Sequence, residues 1–227
     1  MIGLVTLDMA GTTIEEGGQV YAALQHVVEE AGAPVAPADL RTHLGTDKAT
    51  AITALLRAGG VEPTPELVSE RFHRFRDLLA RAYADHPPRP MPGAEDVIAE
   101  LRARSIKVAL TTGFDRVIVD LLLGGLGWST EPDARLVLDA VITTDDVAAG
   151  RPAPYLIFHA MEATDVRAVA GTVSVGDTVA DLTAARCSGG IAVGVLSGAA
   201  GRSELAQAAP DHLIDSVADL LTLPMFS

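Results

Sequence analysis

Apolar and polar positions follow two successive patterns along the chain. The first run, Ile2 to Leu7, is rich in β-formers and stops at Asp8-Met9-Ala10-Gly11-Thr12-Thr13. An apolar run of this length closed by a turn signal predicts a strand buried in a parallel sheet. The loop from Asp8 to Gly18, rich in Gly, Thr and Glu, reads as mobile. From about Gln19 to Asp85 the pattern is helical. Val20, Leu24, Val27 and Val28 share one face, and Gly32 stops that helix. Pro37 opens a second helix, and Ile52, Leu55 and Leu56 mark a third, ended by Gly59-Gly60. Thr64 and Pro65 supply the N-cap and first position of a fourth, which runs through Phe72, Phe75, Leu79 and Tyr83.

The stretch His86-Pro87-Pro88-Arg89-Pro90-Met91-Pro92-Gly93 forbids helix and predicts a stiff return linker. Beyond it strands and helices alternate. Strands are predicted over Ile106–Leu110, Leu138–Ile142, Thr172–Val175, Ile191–Val195 and around His212–Ile214. Helices are predicted over Val117–Leu126, Pro154–Ala163 and Thr178–Ser188. Repeated strand–crossover–strand units imply an α/β fold, a doubly wound parallel sheet with right-handed connections. The all-helical block then reads as an inserted cap domain (17–87), and residues 1–16 with 88–227 as the core domain.

In open α/β sheets, ligands bind beyond the carboxyl ends of the strands. Four such ends carry polar clusters here: Asp8, Thr111-Thr112-Gly113, Asp145-Asp146 and Gly176-Asp177. Gly150-Arg151-Pro152 adds a cation, and Asp181 lies one helical turn after Asp177. Taken singly, Asp8 reads as a turn cap, Asp177 and Asp181 as helix N-terminal acids and Arg151 as a surface turn residue. Together they suggest phosphoryl transfer, with Asp8 as a carboxylate nucleophile forming an aspartyl-phosphate. Mg²⁺ prefers hard oxygen ligands, which the carboxylates of Asp8, Asp177 and Asp181 and the Ala10 carbonyl would provide. Thr111, the backbone N–H of Thr112, and Gly113 would hold phosphoryl oxygens, and Arg151 would spread transition-state charge.

Composition narrows the partners. With 17 Lys+Arg against 30 Asp+Glu, the net charge is −13. A body this acidic repels phosphate backbones and anionic membranes, so nucleic-acid and membrane partners are not expected, and a small-molecule substrate is. Aromatics are only 4%, so Ala, Val and Leu must fill the core. The single cysteine, Cys187, excludes an internal disulfide and reads as a small buried hydrophobe on a helix. With no signal-like or membrane-spanning run, the expected localisation is cytoplasmic.

The segments Asp8-Met9-Ala10-Gly11-Thr12-Thr13, Thr111-Thr112-Gly113, Gly150-Arg151-Pro152 and Val175-Gly176-Asp177-Thr178-Val179-Ala180-Asp181 resemble the four ordered motifs of the haloacid dehalogenase superfamily. The resemblance spans essentially the whole chain, including a helical cap inserted after the first motif, and implies a Rossmann-like core and Mg²⁺ dependence. Two details are similar to its phosphonatase (phosphonoacetaldehyde hydrolase) branch. Ala10 stands where most superfamily phosphatases carry a second aspartate that protonates the leaving group. The run Asp145-Asp146-Val147-Ala148-Ala149-Gly150-Arg151-Pro152 has arginine where most relatives use lysine.

That branch is understood to use a cap lysine as a Schiff base, and Lys48 in Leu44-Gly45-Thr46-Asp47-Lys48 falls at its place. Read without the resemblance, Lys48 is a solvated residue at the start of a helix. The branch's methionine before the glycine and histidine after the lysine are here Leu44 and Ala51, while His43 lies nearby. The resemblance therefore implies cleavage of a small phosphonate, with hydrolysis of a phosphate monoester, as in phosphoglycolate phosphatases, as the alternative. A binding protein that has lost catalysis is a third reading, opposed by the intact Asp8, Arg151, Asp177 and Asp181. The resemblance also implies a homodimer through the cap, and the insertion pattern predicts a cap that opens and closes over residues 14–18 and 86–92.

Overall fold

A computed structural model describes all residues, 1–227. The first strand, β1 (Leu4–Asp8), is followed by a two-residue strand, β2 (Ile14–Glu15), and by four helices: α1 (Gln19–Glu30), α2 (Pro37–Thr42), α3 (Lys48–Ala58) and α4 (Pro65–Asp85). The chain returns through β3 (Arg89–Pro90) to α5 (Ala94–Ala103), β4 (Lys107–Thr111) and α6 (Arg116–Leu126). Two short strands, β5 (Trp128–Ser129) and β6 (Leu136–Val137), precede β7 (Ala140–Ile142) and α7 (Tyr155–Ala163). Last come β8 (Thr172–Gly176), α8 (Val179–Ser188), β9 (Ile191–Val195), α9 (Arg202–Gln207) and β10 (His212–Ile214).

Six strands form one parallel sheet in the order β10-β9-β8-β1-β4-β7. Alternation along the strands sends different residues to its two faces. Val5, Leu7, Val108, Leu110, Val173, Val175, Val193 and Val195 join one cluster with α5 and α6 residues such as Ile98 and Val119. Leu4, Ala109, Ala140 and Ala192 join another with Leu156, Leu182 and Leu205 from α7, α8 and α9. Small residues on the second face let its helices approach closely, which is how a chain poor in aromatics fills its interior. The Thr6 hydroxyl, also buried, donates to Ser174 Oγ at 2.8 Å.

Three local expectations change. Residues 8–18 are not an open loop: Thr12, Thr13 and Ile14 are fully buried, and β2 pairs antiparallel with β3. The strand predicted over Leu138–Ile142 begins only at Ala140, because Leu138 N–H donates to the Ser129 carbonyl and continues the β5–β6 pairing instead. Cys187 is exposed. Helix α8 buries Asp181, Leu182, Ala184, Ala185 and Ser188, a face that leaves Arg186 and Cys187 outward.

Helices α1, α3 and α4 pack on one another through Val20, Leu24, Val27, Ile52, Leu55, Phe75 and Leu79, all inside the larger cluster, with Leu40 of α2 against it. They meet the sheet edge in a closed arrangement. Arg76 of α4 bonds the buried Asp115, whose carboxylate in turn caps α6 by accepting from Ile118 N–H. On the other side Arg41 donates to Glu204 at 2.5 Å. No helix is long and apolar enough to cross a membrane.

Candidate active site

The register of β1 against β4 sets Asp8 beside Thr111, so two of the polar strand ends are neighbours by construction. Arg151 ties them together. Its Nη1 donates to Asp8 Oδ1 at 2.5 Å and lies 2.6 Å from Asp181 Oδ1, while Nη2 donates to the Thr111 carbonyl at 2.8 Å and to its hydroxyl at 2.9 Å. Arg151 is only 7% exposed, so the surface-turn reading does not hold. The hydroxyl of Thr111 is thus committed to the guanidinium, and it is Thr112 and Gly113 that line the cavity in front of Asp8.

At the end of β8, Asp177 Oδ1 accepts from the Thr12 hydroxyl at 3.1 Å and Oδ2 from Ala199 N–H at 2.7 Å. Asp181 Oδ2 accepts from both the backbone N–H and the hydroxyl of Thr178, at 3.0 and 2.5 Å, a reciprocal N-terminal box for α8. One oxygen from each of Asp8, Asp177 and Asp181 falls within 4.8 Å of the others. Burial, then the neighbouring carboxylates, pushes Asp177 well above the usual carboxylate range. Burial likewise pushes Asp181 up to about 6, against the pull of Arg151. Burial opposes the charge on Arg151, but Asp181 and Asp8 hold it above its ordinary range. Three carboxylates crowd one guanidinium here, and an added cation would relieve them. The Ala10 carbonyl accepts no hydrogen bond within the protein. A hard divalent ion fits this donor set.

Asp145 and Asp146 serve structure instead. Asp145 accepts from Arg116 N–H, and Asp146 accepts from Thr143 and from the Arg116 side chain.

The cap completes the site. Lys48 is 3% exposed, which overturns its reading as solvated. Its Nζ donates to the Thr46 carbonyl at 2.8 Å and sits 5.2 Å from the centre of the Phe114 ring. Burial is the main cause lowering its pKa from 10.5 to about 8, against the pull of Asp8 and Asp47. Two glycines allow the approach. A Cβ on Gly113 would stand 2.7 Å from the Thr46 carbonyl oxygen, and one on Gly45 would strike the Thr178 hydroxyl. Gly45 also has φ +73°, a conformation that glycine adopts without strain. Lys48, Asp8, Ala10, Tyr21, Thr112 and Arg151 border a cavity of about 20 Å³, room for roughly one water. As it stands, the cavity is too small for a phosphoryl group.

Sequence reasoning missed Tyr21, Phe114, Thr178 as a site residue, and the Ser197–Ala199 loop, whose Ser197 hydroxyl donates to the Gly11 carbonyl at 2.8 Å. The spacing of Gly198 and Gly11 around Asp177 carried a weak signal, because a Cβ at either would collide with that carboxylate. His43 is not among the residues lining the cavity, and Ala51 is fully buried.

A family model for haloacid dehalogenase-like hydrolases matches residues 2–189. The phosphonoacetaldehyde hydrolase of Bacillus cereus (strain G9842) is 30% identical over 210 residues, covering 87% of this chain and 76% of that protein. Among solved structures, a phosphonoacetaldehyde hydrolase-like protein from Oleispira antarctica superposes with a TM-score of 0.82 at 24% identity, covering 97% of this chain and 90% of that one. A β-phosphoglucomutase from Clostridium difficile gives the same TM-score at 16% identity, covering 97% and 93%.

Proposed function

The chain belongs to the haloacid dehalogenase-like hydrolase family, and from that premise we propose that it hydrolyses the P–C bond of phosphonoacetaldehyde or a close aldehyde analogue. The observation carrying this reading is the buried amine of Lys48, with a pKa near 8, on the same small cavity as Asp8. A lysine in its neutral form is a nucleophile towards aldehydes. Lys48 Nζ adds to the aldehyde carbon, and loss of water gives an imine that is then protonated. Asp8 Oδ2, which carries no hydrogen bond from the protein, attacks phosphorus. The P–C electron pair moves into the iminium, leaving an enamine on Lys48 and an aspartyl-phosphate on Asp8. Water releases phosphate from Asp8; the enamine takes up a proton at carbon, and hydrolysis of the imine frees acetaldehyde and the amine.

Arg151, bonded to Asp8 Oδ1, holds the carboxylate in one orientation and faces the charge that builds on the phosphoryl group. Thr112 and Gly113 line the phosphoryl side of the cavity. Asp8, Asp177 and the Ala10 carbonyl would hold Mg²⁺, with Asp181 beside them bracing Arg151 and Thr178. When bound, that ion supplies positive charge that offsets the carboxylates and the phosphoryl oxygens.

The alternative, hydrolysis of a small phosphate monoester, keeps Asp8 and is favoured by one observation. No histidine borders the cavity to move protons for an imine, since position 51 is a buried alanine. The two separate on one comparison: phosphate release from phosphonoacetaldehyde and from phosphoglycolate, by the wild type and by Lys48→Arg. P–C cleavage predicts borohydride trapping of the aldehyde on Lys48 and loss of phosphonate turnover in the variant. The chain has only two lysines, Lys48 and Lys107, so the adduct is simple to map. Ester turnover that survives Lys48→Arg, with no adduct, selects the phosphatase.

A further inference from the structure

Tyr21 stands on α1 at the wall between two spaces. It borders the small cavity with Asp8, Ala10 and Lys48. It also borders a recess of about 300 Å³ that holds Asp177 and the Ser197–Ala199 loop. Its phenol oxygen accepts a hydrogen bond from Gly45 N–H at 3.3 Å, and its own hydrogen has no acceptor in the protein. Burial, with Asp177, Asp8 and Asp181 nearby, raises its pKa and keeps it protonated, so that hydrogen remains available to donate.

Of the other neutral hydroxyls on the cavity, one is committed as a donor and the other faces a different part of the substrate. Thr178 donates to Asp181 at 2.5 Å. Thr112 accepts from Phe114 N–H at 3.2 Å and lies on the phosphoryl side. A short phosphonate with an aldehyde has two polar ends, and the carbonyl end must face Lys48 on the cap. Tyr21 is the remaining O–H on that side. A buried carbonyl oxygen without a donor is costly, and a buried donor without an acceptor equally so; each answers the other.

We infer that Tyr21 donates a hydrogen bond to the carbonyl oxygen of the substrate, polarising it for attack by Lys48 and selecting aldehydes over carbonyl-free phosphonates; this rests on the P–C cleavage reading above. As the C–N bond forms, the carbonyl π pair moves onto oxygen, where the phenol hydrogen stabilises it. Donors of this kind are worth on the order of 10²-fold in rate.

The test is Tyr21→Phe in the full chain, assayed on phosphonoacetaldehyde, with inorganic phosphate and ethylphosphonate as inhibitors. The inference expects kcat/KM and the rate of borohydride trapping to fall together by about 10²-fold, with both inhibition constants unchanged. If Tyr21 merely holds the Gly45 loop in place, both inhibitors weaken in step with turnover, and the inference is overturned. Unchanged turnover in the variant overturns it as well, leaving the P–C reading standing. A wild type that neither releases phosphate from the aldehyde nor forms the adduct removes the P–C reading, and this inference with it.

Discussion

The core and the cap contribute to the same cavity on very different terms. On the core side, Arg151, Asp177 and Asp181 are each held by at least two partners, and Asp8 is fixed at Oδ1 by Arg151. These groups sit at the ends of parallel strands whose register is set by the whole sheet. On the cap side, Lys48 has one hydrogen bond, to a carbonyl two residues away in its own loop, and an aromatic ring from the core. Networks with redundant partners hold a geometry regardless of what is bound. A group with one local partner takes its environment from whatever it is docked against. The core is thus built to keep its charges in place, and the cap to carry an amine into a setting that exists only when the two parts meet.

The sharpest way to break this contrast is to disable the core while leaving its shape. Asp8→Asn should lower turnover by on the order of 10⁴-fold or more, as loss of a nucleophile does, while circular dichroism shows the variant still folded. Residual turnover near wild type would remove Asp8 from the chemistry. Arg151→Gln comes next. It leaves Asp8 and Asp181 facing each other without a cation, so about 3–5 kcal/mol of stability should be lost by denaturant titration, along with roughly 10²–10³-fold in turnover.

Lys48→Met tests the cap side and should act in the opposite direction on stability. The folded protein releases the Lys48 proton at about pH 8, whereas the unfolded chain holds it to about 10.5. Below pH 8 both states are charged, and the folded state bears the full penalty, about 3 kcal/mol. Between about pH 8 and 10.5 the wild type recovers that stability as pH rises. The variant should therefore melt higher than wild type at pH 7, and the gain should fade towards pH 10.5. A gain that does not vary with pH would mean that folding does not lower the pKa of Lys48. The smallest effect is expected from Arg41→Ala, which removes a solvent-exposed pair with Glu204 across the seam. Such pairs contribute little, so kcat/KM should change by about twofold or less, and a larger drop would make this contact a true latch.

The same contrast explains what the sequence made legible. Asp8, Thr112 and Asp177 were readable because an apolar run that ends in a polar residue marks a strand end, Asp181 because it lies one helical turn after Asp177, and Arg151 only as a cation in the turn before α7. Parallel strands put those ends on one edge whatever the details. Tyr21 and Phe114 were not readable, since what they face depends on where four helices come to rest against the sheet. Lys48 shows the limit most clearly. Its position at the start of a helix, with Asp47 accepting from Thr50 N–H at 2.7 Å, is local and was legible. Its burial comes from the core turns lying over it, which no window around residue 48 contains. Cys187 is a different case, because the helical spacing of Leu182, Ala184, Ala185 and Ser188 already pointed it outward, and its residue type was given too much weight.

The small ribbon formed by Ile14–Glu15 and Arg89–Pro90 has a consequence for how such a molecule can change. The chain leaves for the cap and returns from it along paired strands, with Met91 N–H donating to the Thr13 carbonyl at 2.8 Å. The two ends of the insertion are therefore pinned side by side, independent of what lies between them. An insertion whose ends are held together can be lengthened, trimmed or exchanged without disturbing its host. On the proposed function, Lys48 would travel with that insertion, while Asp8, Arg151, Asp177 and Asp181 stay with the sheet.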